Sequence, residues 1–210
     1  NLAEMDAYAR YLAENSPEVH ILFRELLINV TSFFRDKEAF EMLERTALPL
    51  LFENKPDTYT FRIWVTGCAS GEEAYSLAML FRERMEATRQ EFRVQIYATD
   101  IDDEAIATAR AGVYPANIAI DVSADRLRRF FTRDETGYRV KKEIREMVIF
   151  AVQNVITDPP FTRMDFISCR NLLIYLEPEL QSRVIPAFHY ALRPEGMLLL
   201  SPSESIGNFT

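Results

Sequence analysis

Apolar and polar positions along this chain follow two different periods. Up to residue 52 the period is helical. Leu2, Met5, Tyr8 and Leu12 form one stripe, and Val19, Phe23, Leu26, Leu27 and Val30 form a second. Asn15-Ser16-Pro17-Glu18 separates them, with Ser16 as N-cap and Pro17 in the first turn. A third helix is expected over 39–52 despite Pro49, and Lys55-Pro56-Asp57 reads as the loop that ends this segment. Residues 1–54 are therefore a helical lead-in and residues 55–210 the main domain. In the main domain, strands expected at 61–66, 94–98, 148–152, 165–168 and 197–200 alternate with helices at 72–88, 103–111, 123–131 and 178–192. Asp102 is expected to cap and Gly112 to close the second of these helices, and Ser123 caps the third. A short hairpin strand is expected at 138–140. This alternation predicts a doubly wound α/β sheet, mostly parallel.

Net charge is −8, which disfavours broad nucleic-acid binding because phosphate neutralisation needs clustered Lys and Arg. The charge is uneven. Residues 125–146 hold eight basic and five acidic side chains, a net +3 that leaves −11 for the rest. Such a basic face suits an acidic protein partner, and an internally salt-bridged surface fits the same charges equally well. No apolar run reaches the length of a membrane helix, so no membrane insertion is expected. Cys68 and Cys169 are the two cysteines, expected as buried free thiols in a cytoplasmic protein. The first residues show neither a signal-peptide pattern nor an initiator Met, and a piece of a longer chain is expected.

Ligands of open α/β sheets bind beyond the carboxyl ends of the strands. After the first strand comes Thr66-Gly67-Cys68-Ala69-Ser70-Gly71-Glu72-Glu73, running directly into a helix. Its glycines allow close backbone approach, but the spacing is not that of a dinucleotide fingerprint, and two acids would repel a pyrophosphate. A cationic ligand fits better, with Glu72 on an ammonium; helix capping by Glu72 and Glu73 is the plainer alternative. Asp100 ends the second strand, where an acid can bond ribose hydroxyls. Asn154 follows the third and can read an adenine edge. Arg170 and Asn171 follow the fourth.

These segments carry a family resemblance. Asn29-Val30-Thr31-Ser32-Phe33-Phe34-Arg35 resembles the N-x-T-x-F-F-R segment of the CheR-type chemotaxis receptor methyltransferases. The run 67–78 resembles their G-C-x-[ST]-G-E-E-x-Y-S-[IL]-A loop, and Ala98-Thr99-Asp100-Ile101-Asp102, residues 169–175 and Ser203-Glu204-Ser205 match further segments. The resemblance implies a class I, Rossmann-like methyltransferase sheet with a truncated helical lead-in and a small antiparallel insertion near 131–144. It implies a terminal hairpin absent from this chain. It also implies S-adenosylmethionine as cofactor, with S-adenosylhomocysteine as product. Asn29, Thr31, Arg35, Gly67, Glu72, Asp100, Asn154, Val155, Arg170 and Asn171 would contact that cofactor. Arg35, Arg170 and Tyr175 are the catalytic candidates, Tyr175 being a core residue in the alternative. Phe33 and Phe34 would pack the lead-in onto the sheet.

The activity implied is methylation of glutamate side chains in the acidic helical region of a chemotaxis-type receptor. The short tip at 132–138 predicts no dependence on a pentapeptide tether. His20 and His189 fall on helices without metal-ligand neighbours, so no metal is expected. The rival readings are a catalytically silent cofactor-binding or docking module of a larger signalling protein, a small-molecule methyltransferase and, more distantly, a nicotinamide dehydrogenase.

Overall fold

The computed structural model describes residues 5–26 and 30–207. Contacts divide the chain into two units, Asn1–Val30 and Thr31–Thr210. The first contains α1 (Met5–Glu14) and α2 (Ser16–Leu26). Within it the Tyr8 hydroxyl donates to Glu18 (3.2 Å), and the Asn15 amide donates to the Tyr11 carbonyl at the end of α1.

The second unit begins with α3 (Lys37–Met42), one turn of π-helix over Leu43–Ala47, and α4 (Leu48–Phe52). These residues, grouped with the lead-in on sequence grounds, contribute Phe40, Leu43, Leu48, Leu51 and Phe52 to the core of the sheet domain. The Phe52 ring stacks on Phe61 at 4.8 Å. Then follow β1 (Thr60–Thr66), α5 (Glu72–Thr88), β2 (Arg93–Asp100), α6 (Asp103–Ala111), β3 (Val113–Tyr114), α7 (Ala124–Phe130), β4 (Phe131–Arg133), β5 (Tyr138–Val140), α8 (Lys142–Arg145), β6 (Val148–Val152), β7 (Met164–Cys169), α9 (Pro178–Ala191) and β8 (Leu192–Leu200).

The main sheet runs β6-β2-β1-β7-β8, with every pairing parallel. Side chains alternate across a strand, so β1 feeds both faces. Phe61, Ile63 and Val65 join one apolar core while Trp64 joins the other, against Phe188 of α9. Both faces are covered, which is why every residue of β7 and five of the seven in β1 are buried. Strand order reverses at β1, whose neighbours are β2 and β7, and in open α/β sheets ligands bind in the crevice outside the carboxyl ends of the strands at such a point.

A second sheet, β3-β5-β4, is antiparallel. Sequence placed the insertion at 131–144 but left out β3. Two residues directly behind a helix C-cap are too short to show a period. β8 also starts earlier than expected. Met164 pairs with Leu192 and Phe166 with Met197, so Pro194-Glu195-Gly196 forms a bulge within the strand where a break was expected. Among the described residues no helix is long and apolar enough to cross a membrane.

Helix α6, which carries the backbone away from the carboxyl edge, starts at an N-cap the sequence identified. Asp102 accepts from the amides of Glu104 (2.9 Å) and Ala105 (3.1 Å). Asp102→Ala should cost about 1 kcal/mol of unfolding free energy, measured by urea titration.

Candidate active site

The carboxyl ends of β1, β2, β6 and β7 meet through backbone and side-chain bonds. Cys68 N–H donates to the Thr99 carbonyl (3.0 Å), and Gln153 N–H to the Asp100 carbonyl (2.9 Å). Asp100 is buried at the centre. Its Oδ2 accepts from Ala69 N–H (2.7 Å) and its Oδ1 from Asp102 N–H (3.0 Å). It thereby fixes the glycine loop to β2, and each oxygen retains lone-pair capacity for a further donor.

The loop itself is tightly enclosed. Gly71 has φ +93°, and a Cβ there would lie 2.9 Å from the Ala109 Cβ and 3.0 Å from the Phe150 ring. Gly67 has φ +64° and lies against Leu172, behind Asn171. At the loop's end Ser70 Oγ reaches both carboxylate oxygens of Glu72, at 3.0 and 2.8 Å. Among the described residues Glu72 pairs with no Lys or Arg. Burial pushes its carboxyl above the usual range, with the Ser70 hydroxyl opposing.

The adjacent Glu73 points elsewhere, because consecutive helical residues diverge by about 100°. Its carboxylate accepts from Ser168 Oγ (2.7 Å) and pairs with Arg170 (3.0 Å). The Arg170 side chain is fully buried. Its second terminal nitrogen donates to the Arg35 carbonyl (2.8 Å) and to Asp36 (2.6 Å). Burial raises the Glu73 carboxyl more than Arg170, Ser168 and Arg35 lower it.

Thr31 and Arg35 are half-buried in the segment leading into α3, and Arg35 is close enough to act on Glu73 electrostatically. Asn29 lies outside the described residues. Asn154 bonds mainly within its own turn: its Oδ1 accepts from Ile156 N–H, and its own N–H donates to Asp158. Val155 packs on the Trp64 cluster. Asn171 sits at φ +56°. Tyr175 is 57% exposed on a short 3-10 turn, so the core alternative for it is not observed.

Sequence reasoning overlooked Ser70, Glu73 and Asp36 as working side chains. It also left Glu204 without a role. Glu204 accepts from the amides of Asn171, Leu172, Leu173 and Ser201 and from the Ser201 hydroxyl, tying the loops after β7 and β8. The available signal was its place in the Ser203-Glu204-Ser205 motif.

Phe33 and Phe34 are both buried in the core that holds the inward residues of β1 and β2. Phe33 meets Tyr114 (4.9 Å) and Phe131 (5.5 Å) of the small sheet edge-on. Phe34 lies on Phe40 and under the Arg126 guanidinium. Phe34, Asp36, Ala69 and Asn171 all have positive φ without being glycine. Such strain costs about 1–3 kcal/mol each and concentrates at functional sites. The two cysteines are free and buried, and burial pushes both thiols above their usual range.

The basic segment is largely paired inside the chain. Arg126 makes a two-point pair with Glu83, Arg129 reaches Glu83, Glu86 and Asp125, and Arg128 reaches Asp125. Lys142 pairs with Glu146, and Lys141 donates to the Arg128 and Arg129 carbonyls. Among the described residues Arg133 and Arg139 make no ion pair.

Comparison with known proteins gives a consistent picture. Residues 29–210 match the family model described as CheR methyltransferase, SAM binding domain. An uncharacterized 104.1 kDa protein of Rhodobacter capsulatus is 43% identical, over 97% of this chain and 21% of its own length. A chemotaxis protein methyltransferase of Borreliella burgdorferi is 32% identical, over 95% of this chain and 73% of its own. Chemotaxis protein methyltransferase 1 of Pseudomonas aeruginosa is 34% identical, over 86% of this chain and 67% of its own. The chain thus spans about a fifth of the first relative and about two thirds to three quarters of the other two.

Arg170→Met leaves Glu73 buried and unpaired, and should cost about 3 kcal/mol of stability. Arg170→Lys should recover little of this, because an ammonium cannot reach Glu73, Asp36 and the Arg35 carbonyl together. Urea denaturation of the three proteins checks both outcomes.

Proposed function

The chain belongs to the CheR methyltransferase family, whose SAM-binding domain it carries at residues 29–210, and on that premise we propose that it methylates glutamate side chains of a chemotaxis-type receptor. The observation that carries this reading is the Glu72 carboxylate. It is half-buried at the switch-point crevice, oriented by Ser70, and pairs with no basic side chain among the described residues. A buried carboxylate needs a cationic partner, and the ammonium of S-adenosylmethionine is one.

The rest of the crevice fits the same ligand. The unused lone pairs of Asp100 suit ribose hydroxyls. We assign the adenine to Asn154 and Val155, and the neighbouring Gln153 Oε1 is buried without a partner, as an acceptor for an amino group would be. Gly67 lets the backbone come close, and Asn29, Thr31, Arg35 and Asn171 are assigned to the same site by their motifs.

When bound, the cofactor supplies an electrophilic methyl group. The acceptor carboxylate, with a reference pKa of about 4.3, is ionised near neutrality and needs no general base from the chain. The protein's work is then alignment and exclusion of water, a contribution on the order of 7–11 kcal/mol. Arg170 is committed to Glu73 and Asp36, so we assign it to positioning and give the acceptor carboxylate to Arg35. Tyr175, exposed beyond β7, is assigned to the acceptor side. Arg133 and Arg139 offer charge to an acidic receptor helix, without a pentapeptide tether. A cytoplasmic setting accords with the two free thiols.

Calorimetry with S-adenosylhomocysteine should show binding that Asp100→Ala abolishes and Glu72→Gln weakens by about tenfold or more, as for a hydrogen bond to a charged group. The Glu72 carboxyl is raised by burial, and its ionised form binds the ammonium. Affinity should therefore be full above that raised pKa and fall as pH drops through it, at a pH above the usual glutamate range; Glu72→Gln should flatten this step. With labelled S-adenosylmethionine and a receptor cytoplasmic fragment, label should enter the fragment and leave as methanol in mild base. Base-stable label would overturn the glutamate assignment.

A further inference from the structure

Tyr114 of β3 links the small antiparallel sheet to the glycine loop after β1. Tyr114 is 3% exposed. Its hydroxyl donates to the Ser70 carbonyl at 2.6 Å, 44 residues away in sequence. The same serine turns its own hydroxyl to both oxygens of Glu72. We propose that Tyr114 is a positioning residue for cofactor binding, acting on Glu72 through Ser70. This rests on the assignment of Glu72 to the cofactor ammonium.

The local geometry shows why such a support is needed. Ser70 sits between Ala69 at φ +44° and Gly71 at φ +93°. Glycine at that φ leaves the preceding peptide free to rotate. Displacement of Ser70 would carry its hydroxyl away from Glu72, and a freely rotating 70–71 peptide would no longer hold Ser70 in place. The loop restrains this peptide with Gly71 N–H donating to the Cys68 carbonyl. Tyr114 restrains it from the carbonyl side.

Tyr114 itself is held from three directions. Phe33 packs edge-on at 4.9 Å and Tyr75 edge-on at 6.2 Å. On the third side β5 closes against it. A Cβ at Gly137 (φ +149°) would lie 2.2 Å from the Tyr114 carbonyl oxygen, so only glycine lets β5 approach. The register Tyr114↔Tyr138 follows from that approach. The small sheet and the segment before α3 thus converge on one phenol, and that phenol fixes the serine that aims Glu72.

The test is a double-mutant cycle read as S-adenosylhomocysteine affinity by calorimetry. Alone, Tyr114→Phe should weaken binding about three- to tenfold, the range of a neutral hydrogen bond. In the Glu72→Gln background the same change should weaken it less than about twofold, because residues acting through one network are not additive. Ser70→Ala, which removes the other link, should behave the same way and serves if Tyr114→Phe does not fold. A purely structural role would lower the melting temperature and leave the two effects additive. Additivity, or no loss in either single variant, overturns the inference and leaves Glu72 in place. If Glu72→Gln itself has no effect, the assignment of Glu72 fails first, and the role of Tyr114 falls with it.

Discussion

A guanidinium with no exposure to water must find its hydrogen-bond acceptors inside the protein. Arg170 finds them on two separate pieces of chain: Glu73 at the start of α5, and the neighbouring Arg35 carbonyl and Asp36 carboxylate at the entry to α3. Arg170 itself follows β7. One buried charge therefore sets the relative positions of the segment before α3, the helix after the glycine loop, and the strand on the far side of the switch point. Asp36 and Phe34 accept a left-handed backbone to meet this arrangement. The strain is tolerable because losing the ion pair would cost more.

Around this centre the two glutamates of one doublet divide the work. Glu73 turns inward and neutralises Arg170. Glu72 remains at the crevice with a hydroxyl to orient it and no basic partner among the described residues. Helical geometry sends neighbouring side chains in different directions, so one residue of a sequence doublet is a structural anchor and the other is left for the proposed cofactor contact. Asp100 accepts two backbone amides and keeps lone-pair capacity beyond them. The loop after β7 is set from the other side by Glu204, and Tyr114 carries the small sheet to the same loop as Ser70. Arg170, Glu204 and Tyr114 are thus committed to partners within the fold.

Much of this domain was legible in the sequence. The alternation of strand and helix, the bounds of α5 and α6, the Asp102 and Ser123 caps and the Gly112 stop all follow from local periodicity and local hydrogen bonding, which neighbouring residues decide among themselves. The glycine loop and its Glu72 were legible for the same reason, and so was the family likeness of the motifs. Other features depend on partners far away in the chain. Arg170 stood out as a catalytic cation until Glu73 and Asp36 were seen to occupy it. The basic stretch 125–146 fitted a docking face and an internally salt-bridged surface equally well, and Glu83 and Glu86 of α5 pair with Arg126 and Arg129 within it. β3 escaped notice because two residues have no period, and only pairing with β5 makes them a strand. Sequence alone determined the elements and the candidate chemistry, since spacing and capping are short-range; the tertiary structure alone decided which charges are spent and which remain available, since a charge is neutralised by whatever the fold brings within a few ångströms, however distant it is along the chain.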